Sequence, residues 1–320
     1  MAKKRGFDLL RFIKILASVV GFLISFMFLI FIGFILLSFL SLFFAEPDLG
    51  ILGNVAQIHI KGTISTTGNQ DFYSTGGTKS GSVVKWIQEA EENDQIKAIM
   101  FEIDSPGGTP VGSYEIVEAI QRAEKPTVAV IHEMGNSGAY WIASATDTIF
   151  ANRLSTVGSI GVRSSYLDFA GLMQDYNVTY NRLVSGKFKD TLSPFKEMTP
   201  EERELVQSRL DKLHEIFIND VAKNRGMDAG HVRDIATGYV YFGQEAVDLG
   251  LIDYIGTSED AKKHLEKKLN ITVEFKKFKE KKGLFDIFTS MMHDASYNVG
   301  QGIGSVWLSS TEDDNLELLV

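Results

Sequence analysis

Cysteine is absent from all 320 residues of the chain. Its absence excludes disulfide bonds, thiolate metal ligands and a cysteine nucleophile. Basic residues are in deficit, because 32 Lys and Arg stand against 41 Asp and Glu and leave a net charge of −9. An acidic chain without a basic stripe is not expected to bind nucleic acid.

Charged residues are also missing from residues 15–45, a run rich in Leu, Ile, Phe and Val. As a helix at about 1.5 Å per residue, this run would reach about 46 Å, against about 30 Å of bilayer hydrocarbon. The apolar core of a cleaved secretory signal is only about 7–15 residues long. The sequence therefore predicts one retained transmembrane anchor that contacts membrane lipid through residues 15–45.

The charges that flank this run predict its orientation. Residues 1–14 carry five basic residues and one acidic residue, a net charge of +4. By the positive-inside rule this basic N-terminus is cytoplasmic, and the chain beyond about residue 46 is translocated. The predicted organisation is a cytoplasmic N-terminus (1–14), an anchor (15–45), an extracytoplasmic domain (46–282) and a C-terminal tail (283–320).

The translocated part alternates strand, turn and helix. Strands are predicted at Val55–Lys61, 96–103 and 125–131, and helices at 81–93, at about 110–123 and from Ser137 to about 146. A long helix is predicted at 199–225, a strand–helix–strand unit at 239–256, and a charged helix and strand over 257–282. This alternation predicts an α/β fold with a parallel sheet and right-handed crossovers.

Two glycine-rich turns follow predicted strands and precede helices. Ser137 lies between glycines in Gly135–Trp141 (GNSGAYW), where a strand-to-helix turn can expose its hydroxyl. The alternative is a serine that only caps the next helix. Gly107 and Gly108 form the other turn, so a nucleophile and backbone amides can face each other across one crevice.

A serine hydroxyl needs a base, and the residues leave two kinds of candidate. His132 is the histidine nearest to Ser137 in the sequence, but no motif places an orienting carboxylate beside it. A lysine could act instead, if burial lowers the pKa of its amine from about 10.4 to about 7–8.

The motifs of the chain resemble those of bacterial signal peptide peptidases of the SppA type. These are serine peptidases that share the Clp-protease/crotonase fold of repeated ββα units. The resemblance covers about residues 52–256 and is carried, in order, by DSPGG (104–108), GNSGAYW (135–141), TVGSIGV (156–162), SGKFKD (185–190), TPEER (199–203) and FGQEA (242–246).

The resemblance implies a Ser–Lys dyad that needs no metal or cofactor. Ser137 is the nucleophile and Lys189, rather than Lys187, is the base. Ser159 orients Lys189, and the amides of Gly108 and Gly138 form the oxyanion hole. The resemblance also implies a homo-oligomeric ring, in which one chain builds the site or neighbouring chains share it.

The expected activity is that of a membrane-anchored serine endopeptidase in a bacterial cytoplasmic membrane. Its expected substrates are signal-peptide remnants and other apolar, membrane-derived peptides. Three alternatives remain: a protease of the same family acting on a specific membrane protein, a catalytically silent membrane scaffold, and an acyl-CoA-processing crotonase. The last is disfavoured because a translocated domain would meet no CoA.

Overall fold

The computed structural model describes residues 9–44, 53–67 and 77–279. The chain divides into two compact units, residues 1–49 with 281–320 and residues 50–280. In the first unit, helix α1 spans Leu9–Phe44, and the stretch Leu16–Leu36 has a mean hydropathy of 2.9. At about 1.5 Å per residue this stretch is about 32 Å long, which is enough to cross a bilayer. The predicted tail, residues 283–320, lies outside the described residues.

The second unit is a mixed α/β domain. Its strands are β1 (Val55–Lys61), β2 (Ile64–Ser65), β3 (Thr78–Lys79), β4 (Ala98–Ser105), β5 (Thr127–Asn136), β6 (Thr148–Ala151), β7 (Thr156–Gly158), β8 (Val240–Phe242), β9 (Tyr254–Ile255) and β10 (Phe275–Phe278). Its helices are α2 (Ser80–Glu92), α3 (Pro110–Arg122), α4 (Gly138–Ser144), α5 (Ala170–Asp175), α6 (Pro200–Arg225), α7 (Ala229–Ile235), α8 (Gly243–Asp248) and α9 (Ser258–Leu269).

The main sheet has the strand order β10-β1-β4-β5-β6-β9, and every neighbouring pair along this path is parallel. β7 pairs with the second half of β5 and, antiparallel, with β8. β2 and β3 form a small separate sheet. Since parallel strands end at the same edge, the turns after β4 and β5 meet there.

Helices cover both faces of the sheet, as a parallel sheet requires. On one face, Phe101 and Ile103 of β4 belong to a large core that takes in residues of α2, α3, α4 and α6. On the other face, Met100 packs in a smaller core with Ala261 and Leu265 of α9. Because successive side chains of a strand point to opposite faces, neighbouring residues of β4 serve the two cores.

The α/β class and the apolar N-terminal helix that the sequence predicts are both confirmed. β1 has the predicted bounds, but β5 extends five residues beyond the predicted Ile131, to Asn136. The extension has a tertiary cause. Beyond Ile131 the strand gains new ladder partners, with Gly135 opposite Ser105 of β4 and Asn136 opposite Gly158 of β7.

Candidate active site

Ser137 lies between the end of β5 and the start of α4. Its backbone has φ 53° and ψ −126°, a conformation that costs a residue with a Cβ about 1–3 kcal/mol. Two hydrogen bonds hold it there, from Ser137 N–H to Gly158 O (2.8 Å) and from Trp141 N–H to Ser137 O (3.0 Å). A strained serine at a strand-to-helix turn is typical of a nucleophile whose hydroxyl is held out of the sheet.

Hydrogen bonds to Ile64 hold the turn after β4 on either side of Gly108. Thr109 N–H bonds to Ile64 O at 2.8 Å, and Ile64 N–H bonds to Gly107 O at 3.0 Å. The Ser105 hydroxyl accepts a hydrogen bond from Gly107 N–H at 3.1 Å. A Cβ on Gly108 would overlap the backbone of Ile64, so the close approach of these two segments requires glycine.

The two glycine-rich turns touch each other. Gly107 has φ +101°, and a Cβ there would lie 2.8 Å from Asn136 O, Gly138 N and the Ser137 Cβ. In the described structure neither Gly108 nor Gly138 donates its N–H to another group. Two free amides beside a serine hydroxyl can hold the negative oxygen of a tetrahedral intermediate.

A cavity of about 820 Å³ opens at this point. Four of the predicted site residues line it: Ser137, Ser159, Gly108 and Gly138. Its apolar wall comes from α3, α4, α6 and the segment after β7, with Pro110, Trp141, Val162, Leu213 and Phe217. A cavity with an apolar wall and a few polar groups is suited to an apolar peptide side chain.

Trp141 is the best anchored part of this wall. Its ring stacks on Phe217 with a centroid distance of 4.7 Å, and its indole N–H donates to Asp220 Oδ2 at 3.1 Å. Burial raises the pKa of the Asp220 carboxyl, and the indole hydrogen bond opposes that rise. The ring, which α4 carries, is therefore held in place by two residues of α6.

Ser159 lines the same cavity as Ser137. It follows β7 with φ 50°, its N–H donates to Tyr239 O at 2.8 Å, and its hydroxyl donates to Gly238 O at 3.3 Å. The tertiary structure thus brings Ser137, Ser159, Gly108 and Gly138 together. It places Ser159 where it could orient a basic group that enters the cavity.

Lys189 is not brought to this cavity. It is exposed and lies in residues 163–198, a segment that we call the arm. None of the described residues that line the cavity is a lysine, and no hydrogen bond or ion pair of the Lys189 amine occurs within the described structure. Lys187 differs, because its amine pairs with Glu201 Oε2 at 2.5 Å. Of the two lysines, Lys189 has the unengaged amine.

The structure places a carboxylate beside His132, which no sequence motif indicated. His132 pairs with the buried Glu102 through Nε2 and Oε2 at 2.5 Å, and it is not among the residues lining the cavity. His214 of α6 does line the cavity, although it is 77 residues from Ser137 in the sequence. Sequence reasoning missed it, because only the packing of α6 brings it close. Within the described ranges, no cluster of three or more His, Asp or Glu side chains could hold a metal ion.

Comparison with known proteins assigns the family. Residues 119–272 match the model of Peptidase family S49. The Methanocaldococcus jannaschii protein named "Putative protease MJ0651" is 34% identical over 229 residues, which are 70% of this chain and 72% of that protein. The Enterococcus faecium protein named "Putative signal peptide peptidase SppA" is 33% identical over 68% of this chain and 64% of its own. A solved mutant of a membrane-bound stomatin-specific protease matches with 18% identity and a TM-score of 0.42, over 66% of this chain and 84% of its own. With its match to the family model and its identity to the Methanocaldococcus jannaschii and Enterococcus faecium proteins, the chain belongs to peptidase family S49.

Proposed function

We propose that this peptidase is a membrane-anchored serine endopeptidase that uses Ser137 as nucleophile and Lys189 as general base. The observation that carries the proposal is the strained Ser137 beside two unpaired amides, at the mouth of an apolar cavity. Backbone strain of this kind persists only where surrounding contacts hold the residue in its conformation, and it is frequent at active sites.

The chemistry follows from these positions. A neutral Lys189 amine takes the proton from the Ser137 hydroxyl, and Oγ attacks the carbonyl carbon of the peptide. The N–H groups of Gly108 and Gly138 stabilise the oxyanion. The C–N bond then breaks, the amine leaves with the proton from Lys189, and water hydrolyses the acyl-enzyme.

Lys189 must reach Ser137 for this reaction, and we propose that it does so from a second copy of the chain. The arm that carries Lys189 exposes many large apolar side chains, among them Leu167 (70% exposed), Tyr176 (75%) and Leu183 (95%). Exposed apolar surface of this extent is typical of a protein–protein interface. A second copy that covers the arm would also desolvate the Lys189 amine, which favours its neutral form.

The proposed substrates are apolar peptides derived from membrane segments, chiefly signal-peptide remnants. The apolar wall of the cavity and the N-terminal helix α1 support this class, because α1 would tether the peptidase domain to the bilayer. A specific membrane protein is the alternative substrate. Mass spectrometry of the peptides trapped by Ser137→Ala in membranes would separate the two: many signal-peptide sequences support the first, and one enriched membrane protein supports the second.

The anchor is proposed to leave the peptidase domain outside the cytoplasm, on the basis of the charges around residues 15–45. A protease added to the outside of intact cells should then digest the chain beyond about residue 50 and leave a small membrane-bound fragment. Full protection of the domain would contradict this orientation.

The dyad is tested by single substitutions in the full chain. Ser137→Ala and Lys189→Ala should each lower kcat on an apolar peptide by about 10⁴-fold or more, because each removes a group that the covalent step needs. Lys187→Ala is the matched control, since it removes a neighbouring amine that already pairs with Glu201. Wild-type kcat in Lys189→Ala would exclude the dyad, and wild-type kcat in Ser137→Ala would exclude Ser137 as the nucleophile.

A further inference from the structure

Ser113, in the first turn of α3, has a hydroxyl that the resting structure does not use. The residue is fully buried, and its Oγ has no hydrogen-bond partner among the described residues. Most other buried serines of the domain are paired, for example Ser105 with Gly62 O at 2.6 Å and Ser144 with Trp141 O at 2.7 Å, and Ser65 is the exception. An unpaired buried hydroxyl destabilises a fold, so alanine would suit the resting structure better at this position.

The hydroxyl lies directly against the candidate oxyanion hole. A Cβ on Gly138 would overlap Ser113 Oγ and would lie 3.3 Å from Gly108 N. The Ser113 side chain therefore fills the space between α3 and the Cα of Gly138, beside both unpaired amides. Ser113 is also among the residues that line the cavity.

We infer that Ser113 is a positioning residue of the oxyanion hole. Its hydroxyl packs on Gly138 and sets the distance between that residue and α3, which holds the Gly138 amide in line with the Gly108 amide. Oxyanion donors act only when they lie about 2.7–3.1 Å from the developing charge, so a small shift of Gly138 weakens transition-state binding more than substrate binding. The inference rests on the proposed roles of Ser137, Gly108 and Gly138.

The test compares two alanine substitutions in the full chain. Ser65 offers a matched control, because its hydroxyl is also buried and unpaired but it does not line the cavity. Ser113→Ala should lower kcat about tenfold and change KM less than about twofold. It should weaken binding of a peptide aldehyde, whose hemiacetal oxygen would occupy the hole, by a similar factor. Ser65→Ala should leave kcat, KM and aldehyde binding unchanged.

Unfolding midpoints separate positioning from a general structural role. Both alanine variants should unfold at the wild-type temperature or above it, because each loses an unpaired polar group. Ser113→Cys restores an atom at the γ position, although sulfur is larger than oxygen, and should recover part of the lost kcat at a temperature where all variants are folded. These results would support the inference.

Two results would overturn the inference. One is wild-type kcat and aldehyde affinity in Ser113→Ala, and the other is a fall in kcat in Ser65→Ala as large as that in Ser113→Ala. Ser137→Ala, measured alongside, shows whether the proposed function or only the role of Ser113 has failed. If wild-type hydrolysis does not depend on Ser137, the proposed function fails and this inference with it; if it does, only the role of Ser113 is lost.

Discussion

At the scale of single residues, the active site depends on a few strained or closely packed backbone positions. Ser137 adopts φ 53° and ψ −126°, and Gly107, at φ +101°, lies so close that a Cβ there would be 2.8 Å from Ser137 and from both of its chain neighbours. The strain at Ser137 is kept by the hydrogen bonds to Gly158 and Trp141. The geometry of Ser137 is therefore imposed by its surroundings.

This strain predicts different stabilities for two inactive variants. Ser137→Ala and Ser137→Gly both remove the hydroxyl, but only glycine adopts the backbone conformation without strain. Relief of about 1–3 kcal/mol of strain exceeds the entropic cost of glycine in the unfolded chain, about 0.4–1 kcal/mol. Ser137→Gly should therefore be more stable than Ser137→Ala by about 1 kcal/mol, measured by denaturant unfolding. An equal or lower stability of the glycine variant would show that the conformation is not strained.

At the scale of elements, the start of α6 shows how a capping box and an ion pair with the preceding segment reinforce each other. Thr199 and Glu202 form a capping box, in which each side chain accepts a hydrogen bond from the backbone N–H of the other. Lys196, at the end of the arm, donates to both carboxylate oxygens of Glu202 at 2.8 Å. The bonds from Lys196 and from the Thr199 backbone lower the pKa of Glu202 to about 2.

The lowered pKa of Glu202 predicts a pH-dependent stability. The ordinary pKa is 4.5, so the stabilisation by the ionised carboxylate is fully present above about pH 4.5 and is lost as the pH falls towards 2. Glu202→Gln should have a lower unfolding midpoint than the wild type at pH 7, and the difference should vanish near pH 2. Glu201→Gln is the control, since its exposed ion pair with Lys187 contributes little. A constant difference across this range would contradict the assignment.

At the scale of the whole molecule, the described chain does not bring the two residues of the proposed dyad together. Ser137, Ser159 and the two amides share a cavity, whereas Lys189 is exposed on the arm. The arm holds one short helix, α5, of six residues, and most of its large apolar side chains are exposed. The proposed second copy would cover this surface and supply the missing amine.

Sharing of the dyad between copies predicts complementation of inactive subunits. When Ser137→Ala and Lys189→Ala chains are co-assembled in equal amounts, about one quarter of the sites pair an intact serine with an intact lysine. The mixture should therefore recover about a quarter of wild-type kcat, measured per subunit. A mixture of Ser137→Ala with the double variant Ser137→Ala/Lys189→Ala should stay inactive. No recovery in the first mixture would place both residues of the dyad in one chain.

Much of the fold could be predicted from local sequence signals. The strand predicted at Val55–Lys61 is β1, and the long helix predicted at 199–225 is α6, which begins at Pro200. The meeting of Ser137 with the turn at Gly107 and Gly108 could be predicted, because glycine-rich turns after consecutive parallel strands reach the same edge of the sheet. His214 and Ser113 could not, because their relation to the cavity depends on how α6 and α3 pack rather than on any local pattern.

The sequence by itself determined the α/β class, the apolar N-terminal helix and the candidate nucleophile, since each depends on the composition or periodicity of a short segment. Only the tertiary structure decided that β5 continues to Asn136, that Ser113 lies against Gly138, and that Lys189 lies outside the cavity of Ser137. These are distances between segments that are far apart in the chain. Strand pairing and helix packing set them, and no local pattern encodes such a distance.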